Sequence, residues 1–222
     1  MILDDAELLR RIGAGDEDAF TTLYRRRQGG VYRFALQMSG SASVAEDVTQ
    51  EVFLVVMRDA HGYDPTRGSL AAYLYGIARN HVLRSFERER HWVALAEDWD
   101  GAAGTSVHES LIAQNDPLGD LTRGQLIERL HQAVLALPAH YREVVVLCEL
   151  HELSYAETAS ALDCAVGTVR SRLHRARALL IEKMHGATRE DEATVERGAA
   201  AGGGSGDDAA TTQAFKTARC FV

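Results

Sequence analysis

The sequence contains few of the residues that mark several protein classes. Its three cysteines, Cys148, Cys164 and Cys220, are too few and too scattered among 222 residues for a disulfide scaffold. No apolar run approaches the roughly 20 residues of a membrane-spanning helix. The first residues, MILDDAELLRR, place acidic side chains before any apolar stretch, unlike a secretory signal peptide. These absences predict a cytoplasmic protein without a membrane span.

Charge is unevenly distributed along the chain. The formal net charge is −8, yet residues 1–93 hold 12 basic and 13 acidic side chains, and residues 125–186 hold 7 of each. The excess of acid lies in residues 94–124, with one basic and six acidic residues, and in residues 187–222, with four and six. Because binding depends on local charge, the net acidity does not exclude a nucleic-acid partner.

The patterns of apolar residues predict an all-α protein with two helical domains. Strand patterns are nearly absent, whereas apolar residues at helical spacing recur. Residues 1–93 and 125–186 are the predicted domains. Residues 94–124 lose periodicity and form a predicted flexible acidic linker with one short helix near residues 110–114. Residues 187–222 are rich in Ala, Gly and Asp and are predicted to be a disordered tail.

Three capping boxes mark predicted helix starts. Asp4 with Glu7, and Ser43 with Glu46, open helices in the first domain. Ser154 with Glu157 opens a helix in the second. Each pair places a side-chain acceptor three residues before Glu, which satisfies backbone donors at the start of a helix.

The second domain contains a helix-turn-helix pattern. The helix after Ser154 ends at Asp163, which stands where glycine is usual and which tolerates left-handed geometry better than most residues do. The following segment, VGTVRSRLHRARALLIEKM, reads as one helix, and no acid occurs between Asp163 and Glu182. A helix that begins with small residues and carries a basic face can enter the major groove of DNA. A solvated basic face in a helical bundle is the alternative interpretation.

The end of the first domain mixes aromatic and basic residues. The segment SLAAYLYGIARNHVLRSFERERHW interleaves four aromatic rings with arginines and Asn80. Aromatic faces stack on unpaired bases and arginines follow the phosphate backbone, so this mixture suits single-stranded nucleic acid. The alternative is that Tyr73 and Ile77 simply belong to the core.

Taken together, three segments resemble the bacterial RNA polymerase sigma factors of the sigma-70 family, in their extracytoplasmic-function (ECF) group. The segments are AEDVTQEVFLVVMR at 45–58, GSLAAYLYGIARNHVLRSFERER at 68–90 and LSYAETASALDCAVGTVRSRLHRARALL at 153–180. The resemblance implies sigma region 2 in residues 1–93 and sigma region 4 in residues 125–186. It implies promoter recognition by core RNA polymerase, with readout of a duplex −35 element and melting of a −10 element.

The resemblance also implies residue roles. The residues implied to bind the β′ clamp of core polymerase are Asp47, Gln50, Glu51, Phe53 and Arg58, which are interpreted as a polar stripe beside an exposed aromatic ring. Those implied to contact −10 DNA are Tyr63, Ser69, Tyr73, Arg79, Asn80, Arg84 and Arg88. Those implied to contact −35 DNA are Tyr155, Gly167, Thr168, Arg170, Ser171, Arg172 and Arg175.

Partners and cofactors follow from the same resemblance. The implied partners are core RNA polymerase, through its β′ clamp and β flap, promoter DNA and a cognate anti-sigma factor. No P-loop, GxSxG, HExxH or paired-carboxylate motif supports an enzyme, and no cofactor is expected. Cys148 and Cys164 are interpreted as buried structural cysteines. A zinc site that included His151 would need a further convincing ligand, for which His140 is a weak candidate.

Two other functions remain open at this stage. A helix-turn-helix regulator that acts without polymerase would bind a duplex operator tightly by itself, and it would leave the aromatic-basic segment unexplained. A pure protein-interaction module predicts that charge reversal at Arg170, Arg172 and Arg175 changes nothing.

Overall fold

The computed structural model of the protein describes residues 4–97 and 119–195. All regular structure within these ranges is helical, which confirms the predicted all-α class. A single 3₁₀ turn, Ala60–Gly62, precedes α4, and five π-helical residues, Val146–Leu150, continue α6. The α-helices are α1 Asp5–Gly13, α2 Glu17–Ser39, α3 Ala42–Arg58, α4 Leu70–Glu97, α5 Gly119–Leu135, α6 Ala139–Val145, α7 Tyr155–Leu162 and α8 Val166–Val195.

Two of the predicted capping boxes are corrected by the structure. Asp4 caps α1 by accepting a hydrogen bond from the N–H of Asp5 at 2.7 Å. The Glu7 carboxylate pairs instead with Arg10 on the next turn at 2.6 Å, and hydrogen bonds from Arg10 and Arg11 lower the pKa of Glu7 to about 2. Helix α3 begins earlier than predicted, with Ser41 rather than Ser43 as its cap.

The third capping box is confirmed at α7. The N–H of Glu157 donates to Ser154 Oγ at 3.2 Å, and the Glu157 carboxylate accepts from the Ser154 N–H at 3.0 Å. The helix ends at Asp163, whose φ of 50° is left-handed, as the sequence predicted for this turn. Asp tolerates this conformation because its short polar side chain can hydrogen-bond locally.

The described helices fall into two compact units. The first unit contains α1 to α4 together with α7. Helix α2 lies at its centre and packs against α1, α3 and α4, while α7 packs against α4. Arg26 and Arg27 of α2 both pair with Asp5, which fastens α1 to α2. The fully buried large side chains include Leu8, Leu23, Val31, Phe34, Met38 and Leu74.

The second unit contains α5, α6 with its π-helical continuation, and α8. Its core is built from one face of each helix, since an amphipathic helix buries one stripe. The buried residues are Leu130, Val134, Leu137, Val144, Val145, Val146, Leu147, Val169, Leu173, Ala176 and Leu180.

Helices extend into both predicted irregular segments. Helix α4 continues to Glu97 and α5 begins at Gly119, so the ends of the predicted linker 94–124 are helical. Helix α8 continues to Val195, past the predicted start of the tail. The short helix predicted near residues 110–114 and the tail beyond residue 195 lie outside the described residues. None of the helices in the described ranges combines the length and hydropathy needed to cross a membrane.

Candidate nucleic-acid and polymerase interfaces

Helix α3 presents a polar face, but Phe53 does not belong to it. Asp47, Gln50, Glu51 and Arg58 are all exposed. Phe53 is only 2% exposed, and its ring meets the Tyr24 ring edge-on with centroids 4.8 Å apart. This corrects the interpretation of Phe53 as an exposed aromatic residue. Position 53 follows the apolar spacing of Val52 and Val56, and that spacing places its side chain in the core.

Two apolar residues that the sequence interpretation did not select occupy the exposed face of α3. Leu54 is 38% exposed and Met57 is 56% exposed, the largest exposure among the large apolar side chains reported for the described residues. They follow Gln50 by four and seven residues, so they share its side of the helix. Helical spacing from Asp47 and Gln50 is the signal that could have identified them.

The segment of residues 63–69 forms a turn that leads into α4. Asp64 accepts hydrogen bonds from the N–H and the hydroxyl of Thr66 at 2.9 and 2.7 Å, which stabilise this turn. The Tyr63 hydroxyl donates to the carbonyl of Gly68 at 3.1 Å. Burial raises the pKa of Tyr63, and Asp5 and Asp4 add to the effect, so its phenol stays protonated and able to donate. Ser69 caps α4 by accepting from the N–H of Ala72 at 3.3 Å.

The implied −10 residues on α4 divide between two sides of the helix. At 100° per residue, Tyr73, Asn80 and Arg84 lie within about 40° of one another, and Arg88 lies about 40° further round. Arg79 lies about 120° from Tyr73. Asn80, Arg84 and Arg88 are exposed, and Tyr73 is half-buried beside Tyr63 with ring centroids 5.7 Å apart. The structure therefore brings together every implied −10 residue of α4 except Arg79.

Helix α8 carries an exposed stripe opposite its apolar stripe. Val169, Leu173 and Ala176 are buried on one side. The other side presents five exposed residues at helical spacing: Gly167, Arg170, Ser171, His174 and Arg175. All of them except His174 belong to the implied −35 contacts. Nothing lies within 4 Å of the place where a side chain would begin at Gly167. His174, absent from the implied contact residues, belongs to this stripe by its spacing from Arg170 and Ser171.

Two arginines of the basic helix are engaged inside the second unit. Arg172 Nη1 lies 3.2 Å from Glu143 Oε1, and the Glu143 residue is only 1% exposed. Arg177 donates through Nε to Glu149 at 3.1 Å, and Glu149 belongs to the π-helical segment after α6. Arg172 thus flanks the buried side of α8, apart from the exposed stripe. Thr168, half-buried, accepts a hydrogen bond from the Ser171 hydroxyl through its carbonyl at 3.0 Å.

The two implied contact residues of α7 differ in their surroundings. Tyr155 is 39% exposed at the start of the helix. The Glu157 carboxylate accepts hydrogen bonds from Ser154 and from the Ser69 hydroxyl, which lower its pKa and keep it ionised. Glu157 is therefore occupied by contacts within the first unit.

The part of the chain that the structure describes contains no group of three or more His, Cys, Asp or Glu side chains able to hold a metal ion. Cys148 and Cys164 are both half-buried. The candidate sites are accordingly surfaces made of exposed helix faces.

Comparisons with known proteins identify two family regions. Residues 23–91 match the family described as Sigma-70 region 2, and residues 127–180 match the family described as Sigma-70, region 4. The first match spans most of α2, all of α3 and most of α4. The second spans the helix-turn-helix segment and ends near the last buried leucine of α8.

Relatives of similar architecture are found among curated proteins and solved structures. The ECF RNA polymerase sigma factor SigE of Mycolicibacterium smegmatis is 35% identical over 168 residues, which cover 73% of this chain and 62% of that protein. The ECF RNA polymerase sigma-E factor of Escherichia coli K12 is 33% identical over 189 residues, which cover 82% of this chain and 95% of that one. A solved structure of the sigma factor RpoE in complex with the anti-sigma factor NepR from Bartonella quintana matches with a TM-score of 0.56 and 25% identity, covering 75% of this chain and 96% of that chain. Two family regions in this order, with a 33% identical relative matched over 95% of its length, show that the chain belongs to the ECF group of the sigma-70 family of RNA polymerase sigma factors.

Proposed function

We propose that this sigma factor reads a duplex −35 element with α8, captures an opened −10 element with residues 63–69 and α4, and docks on core polymerase through α3. The observation that carries the proposal is the exposed stripe of α8, which is small and basic and lies opposite a fully buried apolar face. That arrangement leaves the basic side of a rigid helix accessible to DNA.

The physical case for −35 readout rests on the start of α8. Gly167 and Ser171 are small, so the helix can approach the floor of a major groove closely. Arg175 lies two turns after Thr168 and can reach base edges or phosphates bidentately. Arg172 supports this surface from within, because its ion pair with Glu143 fixes α8 to α6.

The case for −10 capture rests on Tyr73, Asn80 and Arg84, which share one side of α4. An aromatic ring beside an amide and a guanidinium provides a stacking surface, a base-edge partner and a phosphate partner, respectively. The turn before α4 adds Tyr63. Melting is favoured when unpaired bases gain these contacts and duplex DNA does not.

The proposed polymerase surface combines charge with exposed apolar area. On α3, Asp47 and Glu51 lie beside Leu54 and Met57. Complementary charge steers encounter with a basic partner such as the β′ clamp, while buried apolar side chains supply affinity. The β flap is the proposed partner of region 4. We also propose a cognate anti-sigma factor, since the similar RpoE structure contains the anti-sigma factor NepR.

In-vitro transcription with core polymerase tests the proposal. Purified chain and core polymerase are given fragmented genomic DNA, and the 5′ ends of the transcripts are mapped. We expect initiation at a set of sites that share two elements separated by one to two helical turns. Arg175→Glu should abolish these transcripts, whereas Lys183→Glu, an equal charge reversal outside the exposed stripe of α8, should leave them.

The alternative of a polymerase-independent regulator predicts a different result. In that case the chain alone would shift a specific duplex in gel-mobility assays, and core polymerase with the chain would start no specific transcript. That outcome would replace the promoter-recognition proposal.

A further inference from the structure

A surface cavity lined with positive charge lies between α2 and α4 in the first unit. Its volume is about 160 Å³. Helix α2 lines it with Arg26, Arg27, Arg33 and Gly30, and α4 lines it with apolar side chains and with the Tyr75 phenol. Asp5 pairs with both Arg26 and Arg27. Two guanidiniums that share one carboxylate, with a third beside them, leave an excess of positive charge at the cavity.

Arg27 carries a polar group that the protein leaves unpaired. Its Nε is buried and has no hydrogen-bond partner among the described residues. Buried N–H groups are nearly always paired, because an unmet donor lowers stability. An anion in the cavity would place an acceptor beside this donor.

The Tyr75 hydroxyl adds a neutral donor to the arginines. Burial raises the pKa of the Tyr75 phenol, and the charges of Arg33 and Arg27 oppose that rise. Both guanidiniums therefore lie close to a hydroxyl that stays protonated. Guanidiniums and a phenolic hydroxyl together are complementary to the oxygens of a phosphate group, which accept several charge-assisted hydrogen bonds.

Gly30 keeps the cavity open to the detriment of the helix. Gly29 and Gly30 are consecutive in the middle of α2, where glycine is less favourable than alanine. A Cβ at Gly30 would lie 3.0 Å from the Tyr75 hydroxyl oxygen, tighter than ordinary van der Waals contact. A side chain at position 30 would thus fill part of the cavity and crowd its hydroxyl.

We propose that this cavity binds a phosphate group carried by a small molecule. Its volume is below the roughly 300–1,000 Å³ of pockets that enclose a whole drug-sized ligand, so it suits a terminal phosphate whose remainder stays outside. The DNA backbone is the other source of phosphate, but the cavity lies away from the proposed −10 surface. At 100° per residue, Tyr75 lies about 160° round α4 from Tyr73 and about 140° from Asn80.

Isothermal titration calorimetry of the full chain with inorganic phosphate tests the proposal. Ionic strength is held constant with chloride, so that general screening does not change. We expect wild type to bind one phosphate per chain. Arg33→Gln should weaken binding about tenfold or more, because a hydrogen bond to a charged group contributes at least that factor.

A cavity-filling variant and its neighbour provide a matched pair. Gly30→Ala/Tyr75→Phe places a methyl group in the cavity and removes the hydroxyl that would crowd it, and it should also bind phosphate about tenfold more weakly. Gly29→Ala adds the same methyl group one residue earlier, where it would meet Arg33 Nη1 at 3.4 Å, and it should bind phosphate as wild type does.

Two further probes identify the source of the phosphate. Adenosine monophosphate should bind with the same dependence on Arg33, and adenosine, which lacks the phosphate, should not bind. A single-stranded oligonucleotide carrying the −10 element of a mapped promoter should bind wild type and Gly30→Ala/Tyr75→Phe equally, without competition from phosphate.

The results can contradict the proposal in two ways. Absence of phosphate binding in wild type, or equal binding by wild type and Arg33→Gln, would overturn it. Because Arg33 is exposed, Arg33→Gln decides this even if the double variant does not fold. Competition between phosphate and the oligonucleotide, with weaker binding of both by the double variant, would assign the cavity to the DNA backbone instead of a small molecule.

Discussion

Replacing Arg172 with alanine distinguishes a DNA contact from an internal support. The sequence resemblance places Arg172 among the −35 contacts, whereas in the structure its guanidinium lies 3.2 Å from the Glu143 carboxylate. If the ion pair is the main role of Arg172, the variant loses folding stability. If DNA contact is the main role, it loses affinity alone.

The expected loss follows from the burial of the two partners. Removing one member of a buried ion pair leaves the other uncompensated and costs about 3–5 kcal/mol. The side chain of Glu143 is 2% exposed and that of Arg172 is 30% exposed, so water screens one partner partly. We therefore take the lower limit, about 3 kcal/mol. In a domain of this size that corresponds to a fall of roughly 12–24 °C in Tm.

Urea denaturation followed by circular dichroism measures the change. Arg175→Ala is the matched control, since it removes an exposed arginine one turn further along α8. It should lower the free energy of unfolding by less than about 0.5 kcal/mol. The double variant Glu143→Leu/Arg172→Met should recover most of the lost stability, because a buried pair can be exchanged for apolar residues of similar volume. An Arg172→Ala variant as stable as Arg175→Ala, with impaired promoter binding, would refute the reasoning.

Three further changes test other parts of the structure. Phe53→Ala should lower the free energy of unfolding in urea denaturation by about 3–5 kcal/mol, because it leaves a cavity in the core. A stable variant with weakened polymerase binding would contradict this. Met57→Asp should leave Tm unchanged and weaken binding to core polymerase at least tenfold in a fluorescence titration, and unchanged binding would rule out this face of α3. Burial lowers the pKa of His131 below its usual 6.5, so the unfolded chain binds more protons and stability should fall as pH decreases from about 7.5 to about 5.5. His131→Gln should flatten that dependence, and identical pH profiles would contradict the assignment.

Helix positions and buried faces could be predicted from the sequence because both depend on local spacing. In α3, the apolar spacing of Phe53 with Val52 and Val56 favours a buried side chain, whereas the resemblance implied a docking face. Its 2% exposure supports the spacing. An amphipathic helix must bury its apolar stripe, and Phe53 is part of that stripe in α3.

Partner choice could not be predicted, because it depends on residues far apart in sequence. Arg172 and Glu143 are 29 residues apart, and Ser160 and Arg67 are 93 apart. Spacing within one helix identifies the side on which an arginine lies but not which carboxylate of another helix meets it. The predicted start of α3 was wrong for a local reason. Ser41 and Ser43 are both suitable N-cap residues, and only the backbone geometry selects Ser41.

The ion pairs also change what the charge of α8 implies for DNA binding. A helix contacting phosphates through four arginines would show a salt slope of about −3.6 in log affinity, at about 0.9 per contact. Arg172 and Arg177 pair with Glu143 and Glu149, and a helix that contacts phosphates through two arginines fewer would show a slope nearer −1.8. If α8 acts as proposed, so small an electrostatic contribution would add little to the affinity of a chain of net charge −8 for DNA at physiological salt. We therefore expect affinity for the promoter to come mainly from core polymerase, with the contacts of α8 selecting the site.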